Sequence, residues 1–183
     1  MKTLTLSKLQ FALTLAASTA MLLAPSVGWA QQKFKYTFKD PGGQSKYTQQ
    51  HVIDVGDVPG HQIRVASLQT KYTGEAPEYD GIKVVESMGS LTSDYIDGSG
   101  RFTQYTVAQM ANGDKMYSHL EGLSQTTVSS DGGRKTSFTT VTTLTGGTGK
   151  FATIRGVLRG SGVTDFKTGT SGLITEGEYS LEK

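Results

Sequence analysis

RFTQYTVAQMANGDKMYSHLEGL, residues 101–123, is the stretch whose reading decides the fold. Apolar and polar residues alternate with period two on both sides of Asn112-Gly113, the mark of half-buried strands. Asn-Gly is the preferred pair for a two-residue type I′ hairpin, because both residues tolerate positive φ. With Ala111 facing Asp114, Ala108 faces Tyr117, Thr106 faces His119 and Gln104 faces Glu121. One face then carries Gln104, Thr106, Tyr117, His119 and Glu121. The other carries Tyr105, Val107, Met116 and Leu120 and is predicted to be core, leaving the polar face to solvent or a subunit contact. A register shift of one residue would exchange the faces.

The same rhythm runs outward in both directions. Phe34–Lys39 alternates, and Leu173, Thr175, Gly177, Tyr179 and Leu181 alternate with Glu176, Glu178 and Glu182. Between them the pattern predicts strands over His51–Asp57, His61–Tyr72, Ile82–Thr92, Arg101–Ala111, Lys115–Leu123, Lys135–Leu144 and Phe151–Leu158. These segments are rich in threonine, valine and tyrosine, which favour a pleated surface. Turn residues separate them: Pro41-Gly42-Gly43, Asp80-Gly81, Asp97-Gly98-Ser99-Gly100, Asn112-Gly113, Asp131-Gly132-Gly133 and Gly146-Gly147. No segment sustains a helical period. Eight or nine short strands joined by turns predict an all-β sandwich or barrel.

The first thirty residues read differently. Lys2 and Lys8 precede an apolar run from Phe11 to Leu23, Pro25 ends it, and Gly28-Trp29-Ala30 offers small residues where a signal peptidase cuts. That order predicts a cleaved secretory signal, 1–30, and a single domain, 31–183. The apolar run is shorter than the ~18–20 residues of a spanning helix. The expectation is export, to the periplasm or the extracellular space. Lys2 and Lys8 are the only charged residues before Gln31, so the remaining chain carries 16 of each sign. A basic footprint for nucleic acid is absent. With no cysteine, disulfide frameworks, thiol catalysis and Cys-based zinc sites are excluded.

Thr145-Gly146-Gly147-Thr148-Gly149-Lys150-Phe151-Ala152-Thr153-Ile154-Arg155-Gly156 resembles the glycine-rich hairpin of the allene oxide cyclase and dirigent superfamily. There a Gly-Gly-Thr-Gly turn leads into an aromatic residue and then an Arg-Gly pair. The matching positions are Gly146, Gly147, Thr148, Gly149, Phe151, Arg155 and Gly156; Ile154 stands where the superfamily often has alanine. Secreted bacterial proteins resemble the superfamily in the same way. The resemblance implies an antiparallel eight-stranded β-barrel, calycin-like, with a short additional strand, a central cavity and a dimer or trimer. The motif reads as structural: glycines for a tight turn and close strand approach, the aromatic for the core, Arg155 to tie the turn to a neighbouring strand. The catalytic acids of the plant enzymes lie outside it and none is carried over.

Other motifs fail on spacing. A phosphate loop ending at Gly149-Lys150 needs glycine where Leu144 stands and Ser or Thr where Phe151 stands. His51, His61 and His119 have no partner at chelate spacing, and Asp94 with Asp97 lacks the order of a calcium loop. No metal or cofactor is expected. Glu86 shares alternation with Ile82, Val84 and Met88, which would aim it inward, where burial raises a carboxyl pKa and suits it to proton transfer. If Val85 and Leu91 mark the inner face instead, Glu86 meets water. The leading functional expectation is a barrel that binds an apolar or amphipathic small molecule, anchored by Tyr105 and Glu86. A cyclase or isomerase with Glu86 sealed in the cavity is a second, and a filled barrel acting as a structural or interaction module a third. A fold of this kind hosts all three.

Overall fold

In a computed structural model, which describes residues 32–42 and 44–182, the alternating segments form ten antiparallel strands. The expected signal segment, residues 1–30, lies outside the described residues. The strands are β1 (Gln32–Asp40), β2 (Ser45–Asp54), β3 (His61–Lys71), β4 (Glu78–Tyr79), β5 (Ile82–Ile96), β6 (Ser99–Met110), β7 (Lys115–Val128), β8 (Arg134–Gly147), β9 (Arg155–Asp165) and β10 (Thr170–Leu181). Hydrogen bonding follows the order β1-β10-β9-β8-β7-β6-β5-β3-β2, with β4 on β5. The architecture is an antiparallel β-barrel. Eight strands, β1, β3 and β5 to β10, carry most of the inward-facing side chains, and β4 adds Tyr79; β2 ends the path and is exposed along its length. No ladder joins β1 to β2. Side chains close part of that side instead: Tyr36 stacks on Tyr79 at 4.7 Å, and Phe38 meets Tyr72 edge-on at 6.5 Å.

The core lies at one end of the barrel. Tyr36, Tyr79, Val84, Met110, Met116, Leu144, Phe151, Ile154, Leu158, Tyr179 and Leu181 are all buried there. They come from the start of β1's inner face, the start of β5, β7 and β9, and the finish of β6, β8 and β10, which an antiparallel meander brings to the same end. The Gly-rich segment is the plug. Gly149–Phe151 makes one 3-10 turn, and the Phe151 ring is 0 % exposed. The Thr148 main chain donates to the Lys115 carbonyl at 2.8 Å, and its Oγ1 accepts from the Lys115 N–H at 2.8 Å. A side chain on Gly147 would collide with that carbonyl, and Gly146 and Gly149 adopt positive φ of 142° and 49°. Arg155 donates to the Ile154 carbonyl at 2.7 Å, next to its own position. Gly156 packs its bare Cα under Tyr179.

Several boundaries differ from expectation: β5 and β7 run on past Thr92 and Leu123, to Ile96 and Val128, and two strands start elsewhere. The strand predicted over Phe151–Leu158 begins at Arg155, because Phe151 turns into the core, and it runs on to Asp165 through Gly160 and Gly162. The strand predicted over His51–Asp57 starts earlier, at Ser45.

The Asn112-Gly113 hairpin is the main correction. Gln109 pairs with Lys115, Gln104 with Leu120 and Tyr105 with His119, one residue away from the predicted register. The loop is longer than two residues: the Gly113 N–H bonds the Met110 carbonyl at 3.0 Å, and the Met110 N–H bonds the Asp114 carbonyl at 2.9 Å. Only Gly113 takes positive φ, 89°. The Asn112 side chain is engaged with Asp114, accepting from its N–H at 3.1 Å and donating to its carboxylate at 2.7 Å, an Asx-type turn. Tight two-residue hairpins occur instead at Asp80-Gly81 and Asp97-Gly98, where both residues have positive φ. The shift turns Tyr105 and Val107 outward, 66 % and 43 % exposed, and Gln104 and Thr106 inward.

Candidate functional site

At the end opposite the plug the barrel interior is hollow. A cavity of about 570 Å³ is lined by inward-facing residues of five strands, β3 and β5 to β8, with Tyr47 of β2 at its edge. Leu68, Leu91, Tyr95, Phe102 and Phe138 give it an apolar and aromatic wall; Arg64, Gln104, Ser124, Thr126 and Thr136 add polar groups. Arg134 and Phe166 stand at its mouth. The volume falls within the ~300–1,000 Å³ of small-molecule sites, as does the mostly apolar wall with a few polar groups. A larger recess of about 730 Å³ runs along β8, β9 and β10, but it is shallower and partly on the outer surface, so the barrel interior is the better candidate. Between Asp40 and Tyr47, where β1 and β2 are not zipped, a third recess shares Tyr47, Leu68 and Phe138 with the cavity. The interior is thus open at its mouth and along that seam.

Glycines make the room. Phe102 pairs across strands with Gly122, and Phe138 with Gly162. A Cβ on either glycine would collide with the ring opposite. Each ring lies flat over its glycine, so large aromatics line the wall without filling the lumen. Tyr95 meets Phe102 edge-on at 6.4 Å. Burial pushes the Tyr95 phenol up, offset in part by a hydrogen bond with Ser124 and by the charge of Arg64.

Most polar groups in the wall are satisfied locally. Ser124 Oγ and Thr126 Oγ1 donate to the Gly98 carbonyl at 2.6 and 3.0 Å, Thr126 and Thr136 share a hydrogen bond of 2.6 Å, and Gln104 donates to Thr106 Oγ1 at 2.8 Å. Two are not. Arg64 Nε and Ser93 Oγ are buried with no partner in the protein. The two residues lie directly opposite each other in the β3–β5 register and border a side recess of about 230 Å³ that shares Arg64, Tyr95, Gly98 and Arg134 with the cavity. A buried polar group left unpaired costs about 1–3 kcal/mol.

The residues expected to anchor a ligand lie elsewhere. Tyr105 is on the outer surface, its ring stacked on His119 at 4.5 Å. Glu86 is also outside. A bulge between Val84 and Glu86 breaks the alternation, so Val84 points inward, while Glu86 follows Met88 outward and accepts a hydrogen bond from Gln69. The structure brings Tyr105 and Glu86 neither together nor into the cavity. No carboxylate lines the cavity, so the sealed acid of a cyclase-type site is not supplied by Glu86. Asp94, weighed for calcium, instead meets His61 Nε2 at 2.8 Å, while Asp57 meets His61 Nδ1 at 2.6 Å. No cluster of three or more His, Asp or Glu suited to a metal occurs among the described residues.

Fold and site together define an antiparallel β-barrel packed shut at one end and hollow, aromatic and arginine-bearing at the other. No protein-family model matches the chain, and no curated protein matches it. Similar solved structures include two dirigent proteins. The pterocarpan synthase dirigent protein GePTS1 is 17% identical, with a TM-score of 0.48, over 88% of this chain and 96% of that one. The pterocarpan synthase dirigent protein PsPTS1 is 16% identical, with a TM-score of 0.45, over 84% and 96%.

Proposed function

We propose that this protein is an exported barrel that binds an amphipathic small molecule in its hollow end. The observation that carries the reading is the 570 Å³ cavity, walled by Leu68, Leu91, Phe102 and Phe138 and reached through an open mouth. Binding would draw on removing apolar ligand surface from water, at roughly 25 cal/mol per Å² before the cost of association is subtracted. Because the rings already lie against glycines, little rearrangement is needed to admit a ligand.

Native mass spectrometry of the protein purified from its own host tests this. A persistent added mass of small-molecule size, released on denaturation, is the expected result; bare protein across preparations counts against it. The same spectrum gives the subunit number, testing the dimer or trimer expectation. It also gives the N-terminus: export with cleavage after Ala30 predicts a chain starting at Gln31, and a retained Met1 would defeat that part of the proposal.

A further inference from the structure

Arg64 is the cation of the cavity wall, held inward on β3. Its Nε is buried and unpartnered, and so is the Oγ of Ser93 opposite, a residue only 1 % exposed. Arg134 brings a second guanidinium to the mouth. None of the residues lining the cavity is acidic, and Asp97 is the sole acid on the adjoining recess. No ion pair joins either arginine to a carboxylate among the described residues. Arg134 instead donates to the Asp97 main-chain carbonyl at 3.5 Å. Positive charge in an apolar pocket without a counter-charge favours an anion, and a guanidinium donates to an anionic oxygen through charge-assisted bonds about twice as strong as neutral ones. Beside it, the Ser93 hydroxyl has a free hydrogen to give.

We propose that Arg64 and Ser93, with Arg134 at the rim, form the anion-binding end of the cavity. The ligand class is a monoanionic amphiphile. Its carboxylate or sulfonate meets Arg64, and its aromatic or aliphatic body lies among Leu68, Leu91, Phe102 and Phe138. This rests on the binding reading above, and the test separates the two.

The test compares two fluorescent probes with one ring system: anilinonaphthalene sulfonate and its neutral counterpart, phenylnaphthylamine. The wild-type protein is expected to bind the sulfonate at least about tenfold more tightly, a difference of about 1.4 kcal/mol. Arg64→Met should erase that preference, bringing the sulfonate's affinity down to that of the neutral probe. Equal binding of both probes by the wild type, or a preference that survives Arg64→Met, overturns the anion site while leaving the binding reading standing. If neither probe binds, the binding reading falls and the anion site with it. Should Arg64→Met fail to fold, the wild type decides by NMR. The Arg64 Nε–H resonance must move with the sulfonate and not with the neutral probe, and a resonance unmoved by the sulfonate overturns the proposal.

Discussion

The two ends of this barrel are built from the same alternating strands and reach opposite outcomes. At the plugged end the inward positions are Tyr36, Val84, Met110, Met116, Leu144, Leu158 and Tyr179, and the Gly149–Phe151 turn drives a phenylalanine into what space remains. At the open end the inward positions are Arg64, Ser93, Tyr95, Gln104, Ser124, Thr126 and Thr136, with rings laid over glycines. A strand 11 to 15 residues long can therefore divide its labour: one half supplies stability, the other leaves a lumen. Polar inward residues at the open end do not fail to make a core; they keep one from forming.

The largest effect should come from breaking the plug. Phe151→Ala removes a fully buried ring and is expected to cost about 3–5 kcal/mol. Phe166→Ala, at the mouth and 62 % exposed, should stay within about 0.5 kcal/mol. Urea unfolding of the two variants measures the contrast directly. Comparable losses would mean that the ends share the stabilising load.

The plug also has a chemical signature. Burial pushes the Tyr36 phenol up to about 12, a bond with Tyr79 partly opposing it, and burial holds Tyr79 well above the ordinary phenol range. The folded protein then keeps a proton that the unfolded chain releases near pH 10. The stabilisation is full below about pH 10 and is lost as pH rises through about 12. For Tyr36 alone it amounts to roughly 2–3 kcal/mol. Ultraviolet titration of tyrosinate should show a late-ionising group that Tyr36→Phe removes, and the unfolding midpoint should fall steeply across that range. Ordinary titration of every tyrosine would contradict a closed plug.

A smaller loss, about 1–3 kcal/mol, is expected for Gly162→Ala. The new methyl meets the Phe138 ring and also approaches the Gly172 carbonyl at 2.5 Å, so ring and strand must shift. If Phe138 swings into the lumen, probe binding weakens along with stability. A smaller stability loss for Gly162→Ala in the Phe138→Leu background than in the wild type would show that the glycine seats the ring, the clash with the Gly172 carbonyl remaining in both. A neutral Gly162→Ala would mean that the wall has slack.

The strand pattern and its turns were readable because each strand declares its own alternation: Glu176 and Glu178 are outward on β10, and Tyr179 and Leu181 are inward. What could not be read were relations between strands. The sequence reads Asn112 as a turn residue with positive φ, but its side chain is bonded to Asp114, which lengthens the loop and reverses Tyr105. Glu86 sits one residue past a bulge that no local signal marks. Arg64 stands in an ordinary stretch of β3 and gains its meaning from Ser93 opposite, far along the chain. The Phe102–Gly122 pair is half visible, as an aromatic in one expected strand and a glycine in another, whereas Gly162 lies past Leu158, where its strand is expected to end. A site assembled across registers cannot be read where the register itself slips by one.

The smallest effect belongs to the outer rim of the open end, where polar contacts stand in for packing. His61 at the start of β3 lies between Asp94 of β5 and Asp57 of the preceding loop. Its pKa is raised, chiefly by the bond to Asp94 and then by Asp57, against a small opposing effect of burial. Protonation is therefore favoured in the folded state. The stabilisation is fully present below the ordinary imidazole value of about 6.5 and is lost as pH rises through the raised one. Asp57 is lowered chiefly by the same histidine, so its share is lost at the acid end instead. Both carboxylates are exposed and their contacts salt-screened, so the change in melting temperature should be slight and smaller in high salt. An NMR titration of His61 should give a value above the ordinary one, and Asp94→Asn should bring it down. If Asp94→Asn leaves the His61 titration unchanged, the rim is not held by these charges, and the open end owes its shape to the ladder between β3 and β5 alone.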